Sequence, residues 1–574
     1  MKVIGIDLGT TYSVMAHVVG GKPVAIPNAE GKLLTPSVVS WDKDGRIYVG
    51  EIARSRAMFD PERTVFSIKR QMGRDVKIHI DDREYTPQTI SAYILRKLKN
   101  DAEKYLGMPV DKAVITVPAY FNEQARASTK EAGIIAGFEV LRILNEPTAA
   151  TLAYGLGHKD GELVMVWDLG GGTFDVSILE FADGVYQVKS TSGDTWLGGD
   201  DWTSHITAFI VEKFENEFGK KVSTRPEIRE RIKIAAETAK IELTTKQEAR
   251  INLPCLEDID KRLCSFHTSI KRTEFNKIVK ELMERVIIPV ETALKDSGLK
   301  FADMNKIILV GGATRMPQVR ELVTTMSGKE SFTDIDPDVV IGLGAAVQTG
   351  ILTGEMIDTV LVDVIPISLG LETRGGIFTR FIKRNSAIPT SYSQIFTTAK
   401  DDQTEVEIHV LQGERELASH NISLGRFCLT DIPPLPKGTA KIEVKFEVDA
   451  NGILNVTATD IYTNNEQMIT VKSNRINDKD LIKLAAENLK YHEQDQCELD
   501  GILMRITADD TIEAAIETLP KLTVGEVFVE RINEAISESR RLLERGDVNE
   551  LKVSVDRLKK LMDEAMTHAK KTSA

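Results

Sequence analysis

The chain has 574 residues, of which 42% are hydrophobic and 28% charged; this is the ordinary globular range and, at about 150 residues per domain, predicts several folded cores. Its 73 basic and 86 acidic residues leave a formal net charge of −13, which excludes a global basic field for nucleic acid or anionic lipid. Cys255, Cys264, Cys428 and Cys497 form no Cys-x-x-Cys pair, so neither a disulfide framework nor a thiolate zinc site is expected, and a reducing compartment fits.

The N-terminus runs into Val3-Ile4-Gly5-Ile6-Asp7 after a single lysine, with no small-residue cleavage site, so no signal peptide is expected. No apolar run approaches the ~20 residues of a membrane helix. The chain therefore reads as soluble and cytoplasmic, without a nucleic-acid or membrane partner.

The first element is a strand that ends at Asp7-Leu8-Gly9-Thr10-Thr11 and returns through Val14, Ala16 and Val18. The same pattern recurs at Met165-Val166-Trp167-Asp168-Leu169-Gly170-Gly171-Gly172-Thr173, returning through Val176, Ile178 and Leu179. Two similar lobes are implied, each with a strand, a glycine turn and a returning strand. At such turns the missing side chains let backbone N–H groups approach phosphate oxygens, and the hydroxyls of Thr10, Thr11 and Thr173 add donors. Asp7 and Asp168 could together hold a hydrated magnesium, an ion that keeps several waters and uses few protein ligands. One Asp-Leu-Gly alone would read as an ordinary hairpin; two copies favour facing phosphate loops.

Between these hairpins, Lys69 in Ser67-Ile68-Lys69-Arg70 is by base rate a solvated surface residue. Ala113-Val114-Ile115-Thr116-Val117 is a strand followed by a helical stretch, as expected of an α/β layer buried on both faces. In Asn145-Glu146-Pro147-Thr148, Pro147 suits the first position of a helix. Glu146 then either favours the helix N-terminus or orients water and a hydrated cation. Glu237 and Lys240 read as a solvated i, i+3 pair. The strand Ile307-Ile308-Leu309-Val310 leads into Gly311-Gly312-Ala313-Thr314-Arg315, a third glycine turn suited to adenosine and phosphate. Arg315 could stack on a base, reach a phosphate, or simply cap a surface helix.

After about residue 357 the texture changes. Val406-Glu407-Ile408-His409-Val410 alternates, and Ile442, Val444, Phe446 and Val448 share one face, which predicts half-buried strands over 364–472 and an antiparallel β-sandwich. Ala450-Asn451-Gly452 is a turn, and Pro433, Pro434 and Pro436 punctuate a loop. From Asn477 the period is helical, with Leu551, Val555, Leu558 and Met562 on one stripe; Gly546 can end one helix and Asp547 can cap the next. At the border of the two textures stands Asp358-Thr359-Val360-Leu361-Val362-Asp363. It fits a buried edge strand and an apolar linker that needs somewhere to dock.

The chain resembles the seventy-kilodalton heat-shock chaperones, most closely the bacterial DnaK type. The resemblance runs through about residue 472 and is carried by Ile6-Asp7-Leu8-Gly9-Thr10-Thr11, Ile115-Thr116-Val117-Pro118-Ala119-Tyr120-Phe121, Asn145-Glu146-Pro147-Thr148-Ala149-Ala150, Asp168-Leu169-Gly170-Gly171-Gly172-Thr173-Phe174-Asp175 and Leu411-Gln412-Gly413-Glu414-Arg415. It implies a multidomain chain: an α/β, actin-like, two-lobed ATPase domain over 1–357, an interdomain linker over 358–363, a peptide-binding antiparallel β-sandwich over 364–472 and an α-helical lid over 473–574.

By the same likeness, Asp7, Glu146 and Asp168 surround the magnesium and its waters. Thr173 and Asp175 lie near the attacked phosphate, and Lys69 contacts the γ-phosphate or the attacking water. Gly9, Thr10, Thr11, Tyr12, Gly170, Gly171, Gly172 and Gly311 are implied nucleotide-binding residues. Glu237, Lys240, Thr244, Gly312, Arg315 and Asp338 belong to the nucleotide pocket, with Thr244 where relatives commonly have serine. The peptide groove maps to Leu371, Thr373, Arg374, Phe396, Ala399, Gln403, Val406 and Ile408, although alternating apolar residues in a sandwich also form its core. Arg374 departs from the methionine or alanine often found at one side of the arch over the peptide. Pro118, Arg126, Arg142, Val360, Leu361, Val362 and Asp363 are the implied coupling residues.

The implied activity is an ATP-dependent chaperone: ATP opens the peptide site, and hydrolysis to ADP closes the lid over an unfolded segment. ATP or ADP with magnesium, and potassium as a further cation, are the implied cofactors. Unfolded clients, a J-domain co-chaperone and a GrpE-like exchange factor are the implied partners of a monomer. The segment Gly73 to Tyr85 is shorter than in many relatives, which alters the rim where exchange factors dock. The chain ends in Lys570-Lys571-Thr572-Ser573-Ala574, so partners that read an acidic Glu-Glu-Val-Asp tail are not expected. A sugar kinase would share the duplicated phosphate loops and an actin-like filament former the two lobes, but neither accounts for a sandwich followed by a helical lid.

Overall fold

The computed structural model describes residues 2–155, 161–182, 184–259, 262–332, 334–356, 360–373, 376–398, 400–414, 418–436 and 438–470, and beyond these residues 504, 507–508, 511–512, 514–516, 518–519, 522, 525–545 and 548–572. They fall into two compact units, Met1–Ala485 and Ala486–Ala574.

The first unit begins with a lobe built on β1 (Lys2–Asp7), β2 (Tyr12–Val19) and β3 (Lys22–Ile26), followed by α1 (Pro87–Leu106), β4 (Val110–Val117), α2 (Glu123–Ile135), β5 (Glu139–Asn145) and α3 (Glu146–Tyr154). The sheet order is β5-β4-β1-β2-β3. The β1 and β4 pair is parallel and the β1 and β2 pair antiparallel, so the first Asp-Leu-Gly turn reverses the chain within the sheet. Thr86 and Asn122 cap α1 and α2 by accepting from Thr89 N and Ala125 N, as residues with short side-chain acceptors do at N-termini. Helix α3 starts at Glu146, with Pro147 second, one residue earlier than the proline alone suggests.

The second lobe repeats the plan with β6 (Glu162–Leu169), β7 (Phe174–Ala182), β8 (Val185–Asp194), α4 (Gly199–Phe218), α5 (Pro226–Thr245), β9 (Glu248–Ile259), β10 (Arg262–Lys271), α6 (Lys280–Ser297), β11 (Lys306–Val310) and α7 (Pro317–Ser327), after which α8 (Val340–Thr353) returns to pack on β1, β2 and α3 of the first lobe. Its sheet runs β11-β6-β7-β8. Ile6, Val114, Val166, Trp167, Val176 and Ile308 are all 0% exposed, which is why these strands read as continuous apolar runs rather than alternating ones.

The outer edge of that sheet is completed by β12 (Val360–Val364), which pairs parallel with β8 through Val185↔Val360, Tyr186↔Leu361 and Gln187↔Val362. Asp363 and Val364 then pair antiparallel with Ile388 and Ala387. The stretch expected as a linker is thus an edge strand along its described part; Asp358 and Thr359 lie outside the described residues. The physical reason is the open flank of β8: an unpaired edge is a template for another strand, and Leu361 is buried against the second lobe.

The alternating region forms two four-stranded antiparallel sheets. One holds β13 (Leu369–Thr373), β14 (Ile377–Ile382), β16 (Val406–Gln412) and β17 (Ile422–Leu429) in the order β14-β13-β16-β17. The other holds β15 (Thr390–Thr397), β18 (Lys441–Val448), β19 (Leu454–Asp460) and β20 (Glu466–Thr470) in the order β15-β18-β19-β20. Ile442, Val444, Phe446 and Val448 are buried in the core between the sheets, as their period of two requires.

The second unit contains α9 (Glu526–Arg545) and α10 (Val548–Thr572). Leu558 and Met562 pack with Ile532 and Ile536, while Leu551 and Val555 pack with Leu542; these four α10 residues are the stripe legible in sequence. Gly546 and Asp547 lie outside the described residues. Among the described residues no helix is long and apolar enough to cross a membrane.

Candidate nucleotide site

The turns β1 to β2 and β6 to β7 meet face to face. A Cβ on Gly171 would lie 2.0 Å from Thr11 Oγ1, so only glycine allows the two loops this approach. Together with the turn after β11 they enclose a cavity of about 350 Å³. Of the residues singled out in sequence, Asp7, Gly9, Thr10, Thr11, Tyr12, Lys69, Glu146, Asp168, Gly170, Gly171, Thr173, Glu237, Lys240, Thr244, Gly311, Gly312, Arg315 and Asp338 line it. Gly172 and Asp175 stand just behind the wall: the Gly172 carbonyl accepts from Arg70 Nε at 3.1 Å and Asp175 Oδ1 from Tyr120 N at 3.1 Å.

Lys69 is 6% exposed, contrary to the base rate for lysine, and its Nζ donates to Glu146 Oε1 at 2.5 Å. Burial works against its charge, but the carboxylates of Glu146 and Asp7 outweigh it and hold the ammonium above its ordinary range. The acids move the other way. Burial, reinforced by Glu146, lifts Asp7 to about 7 and Asp175 to about 8 and carries Asp168 well above the carboxylate range. Asp168 Oδ2 and Asp175 Oδ2 are buried without a hydrogen-bond partner, an expensive arrangement unless a cation or donor serves them.

On the other wall, Glu237 and Lys240 are an ion pair at 2.7 Å, as their spacing suggests. They are not a solvated pair, because Lys240 is buried and also donates to Gly199 O at 2.9 Å and Thr203 Oγ1 at 3.0 Å. Arg315 is held by Asp336 at 2.5 Å and Asp338 at 2.7 Å, so its guanidinium is fixed at the rim. Thr203, which also bonds Glu237, was not apparent in the sequence. The pair Gly198-Gly199 opening α4 is the signal that could have led to it.

A family model described as Hsp70 protein matches residues 3–571. The chain belongs to the Hsp70 family. Its two-lobed actin-like body, β-sandwich and helical C-terminal region are the Hsp70 fold, and ATP-dependent chaperone activity, ATP or ADP with magnesium, and work with unfolded clients, J-domain proteins and exchange factors are properties of that family.

The donor set of this Hsp70 fits magnesium: a hard cation takes oxygen ligands, and Asp168 and Asp175 each keep a buried oxygen without a hydrogen-bond partner. Among the described residues no three His, Cys, Asp or Glu side chains are grouped to hold a bare metal ion directly.

Away from the cavity, Leu371 and Ile408 belong to the core of the sandwich, and Phe396 and Val406 are partly buried against it. Thr373 bonds Thr379 at 2.9 Å, and Gln403 Nε2 donates to Glu405 O at 2.8 Å. Arg374 and Ala399 lie outside the described residues. Pro118 follows the end of β4, and Phe121 N donates to its carbonyl at 3.2 Å. Arg126 is buried and donates to Ala119 O at 3.0 Å and Asn145 Oδ1 at 2.6 Å. Arg142 donates to Gln348 Oε1 at 3.4 Å, and burial depresses it below the usual guanidinium range. Asp363 is buried and accepts from Asn145 Nδ2 at 2.6 Å.

Proposed function

We propose that this Hsp70 is a DnaK-type chaperone in which hydrolysis at the cavity between the lobes controls a peptide groove in the sandwich. The observation that carries the reading is the buried Lys69 bonded to Glu146 beside Asp7, Asp168 and Asp175, at the meeting of two phosphate-type loops. Bound magnesium would offset the charge that develops on the transferred phosphoryl group. Asp7, Glu146 and Asp168 hold its waters, and Thr10, Thr11 and the backbone N–H groups of Gly9, Gly170, Gly171 and Gly172 donate to phosphate oxygens. Lys69, kept charged by its acidic neighbours, stabilises the γ-phosphate and the attacking water. Thr173 and Asp175 orient that water, and potassium would serve as a further cation. Tyr12, Glu237, Lys240, Thr244, Gly311, Gly312, Arg315 and Asp338 hold the nucleotide.

In this reading residues 1–357 are the ATPase domain, 358–363 the linker, 364–472 the peptide-binding domain and 473–574 the lid. The pairing of 360–364 with β8 corresponds to the ATP-bound arrangement, and release of that strand accompanies lid closure after hydrolysis. Leu371, Thr373, Arg374, Phe396, Ala399, Gln403, Val406 and Ile408 shape a groove that reads extended apolar segments through backbone bonds and a central pocket. A J-domain protein and a GrpE-like factor act on a cytoplasmic monomer. ATPase activity with and without an unfolded peptide tests the reading: peptide stimulation is expected, and ATP hydrolysis that no unfolded peptide alters would overturn it.

A further inference from the structure

Trp41, Trp167 and Trp202 are at most 1% exposed, whereas Trp196 is 39% exposed. Its backbone is held in place: Trp196 N donates to Asp194 Oδ1 at 2.9 Å, and Arg285 Nη2 donates to Trp196 O at 3.1 Å and to Asp194 Oδ2 at 2.6 Å. The loop that carries it, between β8 and α4 of the second lobe, rests on the second phosphate loop, since a Cβ on Gly198 would lie 2.4 Å from Gly172 N.

Two guanidinium groups reach this ring from the first lobe. Arg74 Cζ is 4.1 Å and Arg70 Cζ 5.3 Å from its centroid, both within the ~6 Å over which an aromatic face attracts a cation. Arg70 is tied down further, by Gly172 O at 3.1 Å and Asp201 Oδ2 at 2.6 Å, and Ser67 Oγ donates to Asp200 Oδ2 at 2.5 Å. Between Ser67 and Arg70 stands Lys69.

We propose that Trp196 is a positioning residue for ATP hydrolysis: by clamping Arg70 and Arg74 across the cleft, it sets Lys69 and the Gly170–Thr173 loop in register when the lobes close. The inference rests on the ATPase reading above and adds a residue that lies outside the cavity. The indole face attracts both guanidinium groups without adding a further formal charge to the cleft, and the turn at Asp194 holds the backbone that presents it. Two partly exposed cation–π contacts correspond to about five- to thirtyfold in the closed population.

The experiment compares Trp196→Ala, Trp196→Phe, Arg74→Ala and the Trp196→Ala/Arg74→Ala double variant in the full chain. Single-turnover hydrolysis, dissociation of a fluorescent ADP analogue and acrylamide quenching without nucleotide are measured. Trp196→Ala should slow hydrolysis and speed ADP release by about five- to thirtyfold. Trp196→Phe should recover most of both, and the double variant should be no worse than Trp196→Ala. In nucleotide-free protein, Arg74→Ala should raise the quenching that Trp196→Phe removes. Rates for Trp196→Ala within twofold of wild type, equal loss in the phenylalanine variant, additive single effects or unchanged quenching would each overturn the clamp. A wild-type chain that neither binds nor hydrolyses ATP would defeat the ATPase reading instead, and the quenching arm would still report on the clamp.

Discussion

Asn145 Nδ2 donates to Asp363 Oδ1 at 2.6 Å, joining the last residue of β5 in the first lobe to β12 on the edge of the second. Asn145 Oδ1 in turn accepts from the buried Arg126 at 2.6 Å, and the next residue, Glu146, holds Lys69. A change in the position of β12 therefore reaches the cavity through one side-chain bond, one peptide unit and one ion pair. Asp363→Ala would leave Asn145 buried with an unsatisfied donor, which costs about 1–3 kcal/mol. Stimulation of hydrolysis by peptide should fall at least severalfold in steady-state assays, with nucleotide affinity retained.

Lys69→Ala should keep nucleotide affinity within a few-fold while single-turnover hydrolysis drops by orders of magnitude, because its charge acts mainly on the transition state. Hydrolysis within a factor of two of wild type would remove Lys69 from the mechanism.

Much of this site was legible before any coordinates. The duplicated Asp-Leu-Gly hairpins announce two lobes because their spacing is local, and the alternation at Ile442 to Val448 announces the sandwich for the same reason. The burial of Lys69 was not legible, since it depends on Glu146 arriving from the start of a helix 77 residues away. Nor was the state of residues 360–364, because a short apolar run between acids suits a linker and an edge strand alike until the free flank of β8 is known. Leu371 and Ile408 alternate as groove residues and core residues both do, and both are buried in the cluster of the sandwich.

Val406 is partly buried against that core. Val406→Phe should weaken an apolar peptide about five- to a hundredfold, the equivalent of the typical 1–3 kcal/mol of overpacking, with ATP binding intact. Fluorescence anisotropy of a labelled peptide measures it; unchanged affinity in a folded variant would assign Val406 to the core alone.

Glu123 lies where the sandwich meets α2. Its N–H donates to Gln412 Oε1 at 3.4 Å, and Glu123 Oε2 and Gln412 Nε2 are both buried without a partner. Burial lifts the Glu123 carboxyl from 4.5 to about 8, against the pull of Arg126 and with a push from Asp449. The docked form thus holds more protons than an exposed Glu123 between those values, so docking should weaken as pH rises through that window. Hydrogen exchange of the β12 amides, followed from about pH 5 to 8, should accelerate beyond its intrinsic pH dependence. Glu123→Gln should flatten the excess, and an identical slope in the variant would exclude Glu123 as its source.

The central claim is that β12 couples the two domains by docking on β8. Replacing Val360, Leu361 and Val362 together with aspartate puts three charges on that edge and removes burial worth roughly 1.5–3 kcal/mol for each side chain that becomes fully buried. Each domain should still fold and bind its ligand. Linkage makes the coupling of the two binding equilibria reciprocal, so the dissociation rate of a bound peptide, compared with ATP and with ADP, reads it directly. In wild type ATP should speed release by an order of magnitude or more, and in the triple variant the two rates should converge. A triple variant whose peptide still leaves much faster with ATP than with ADP would contradict the account.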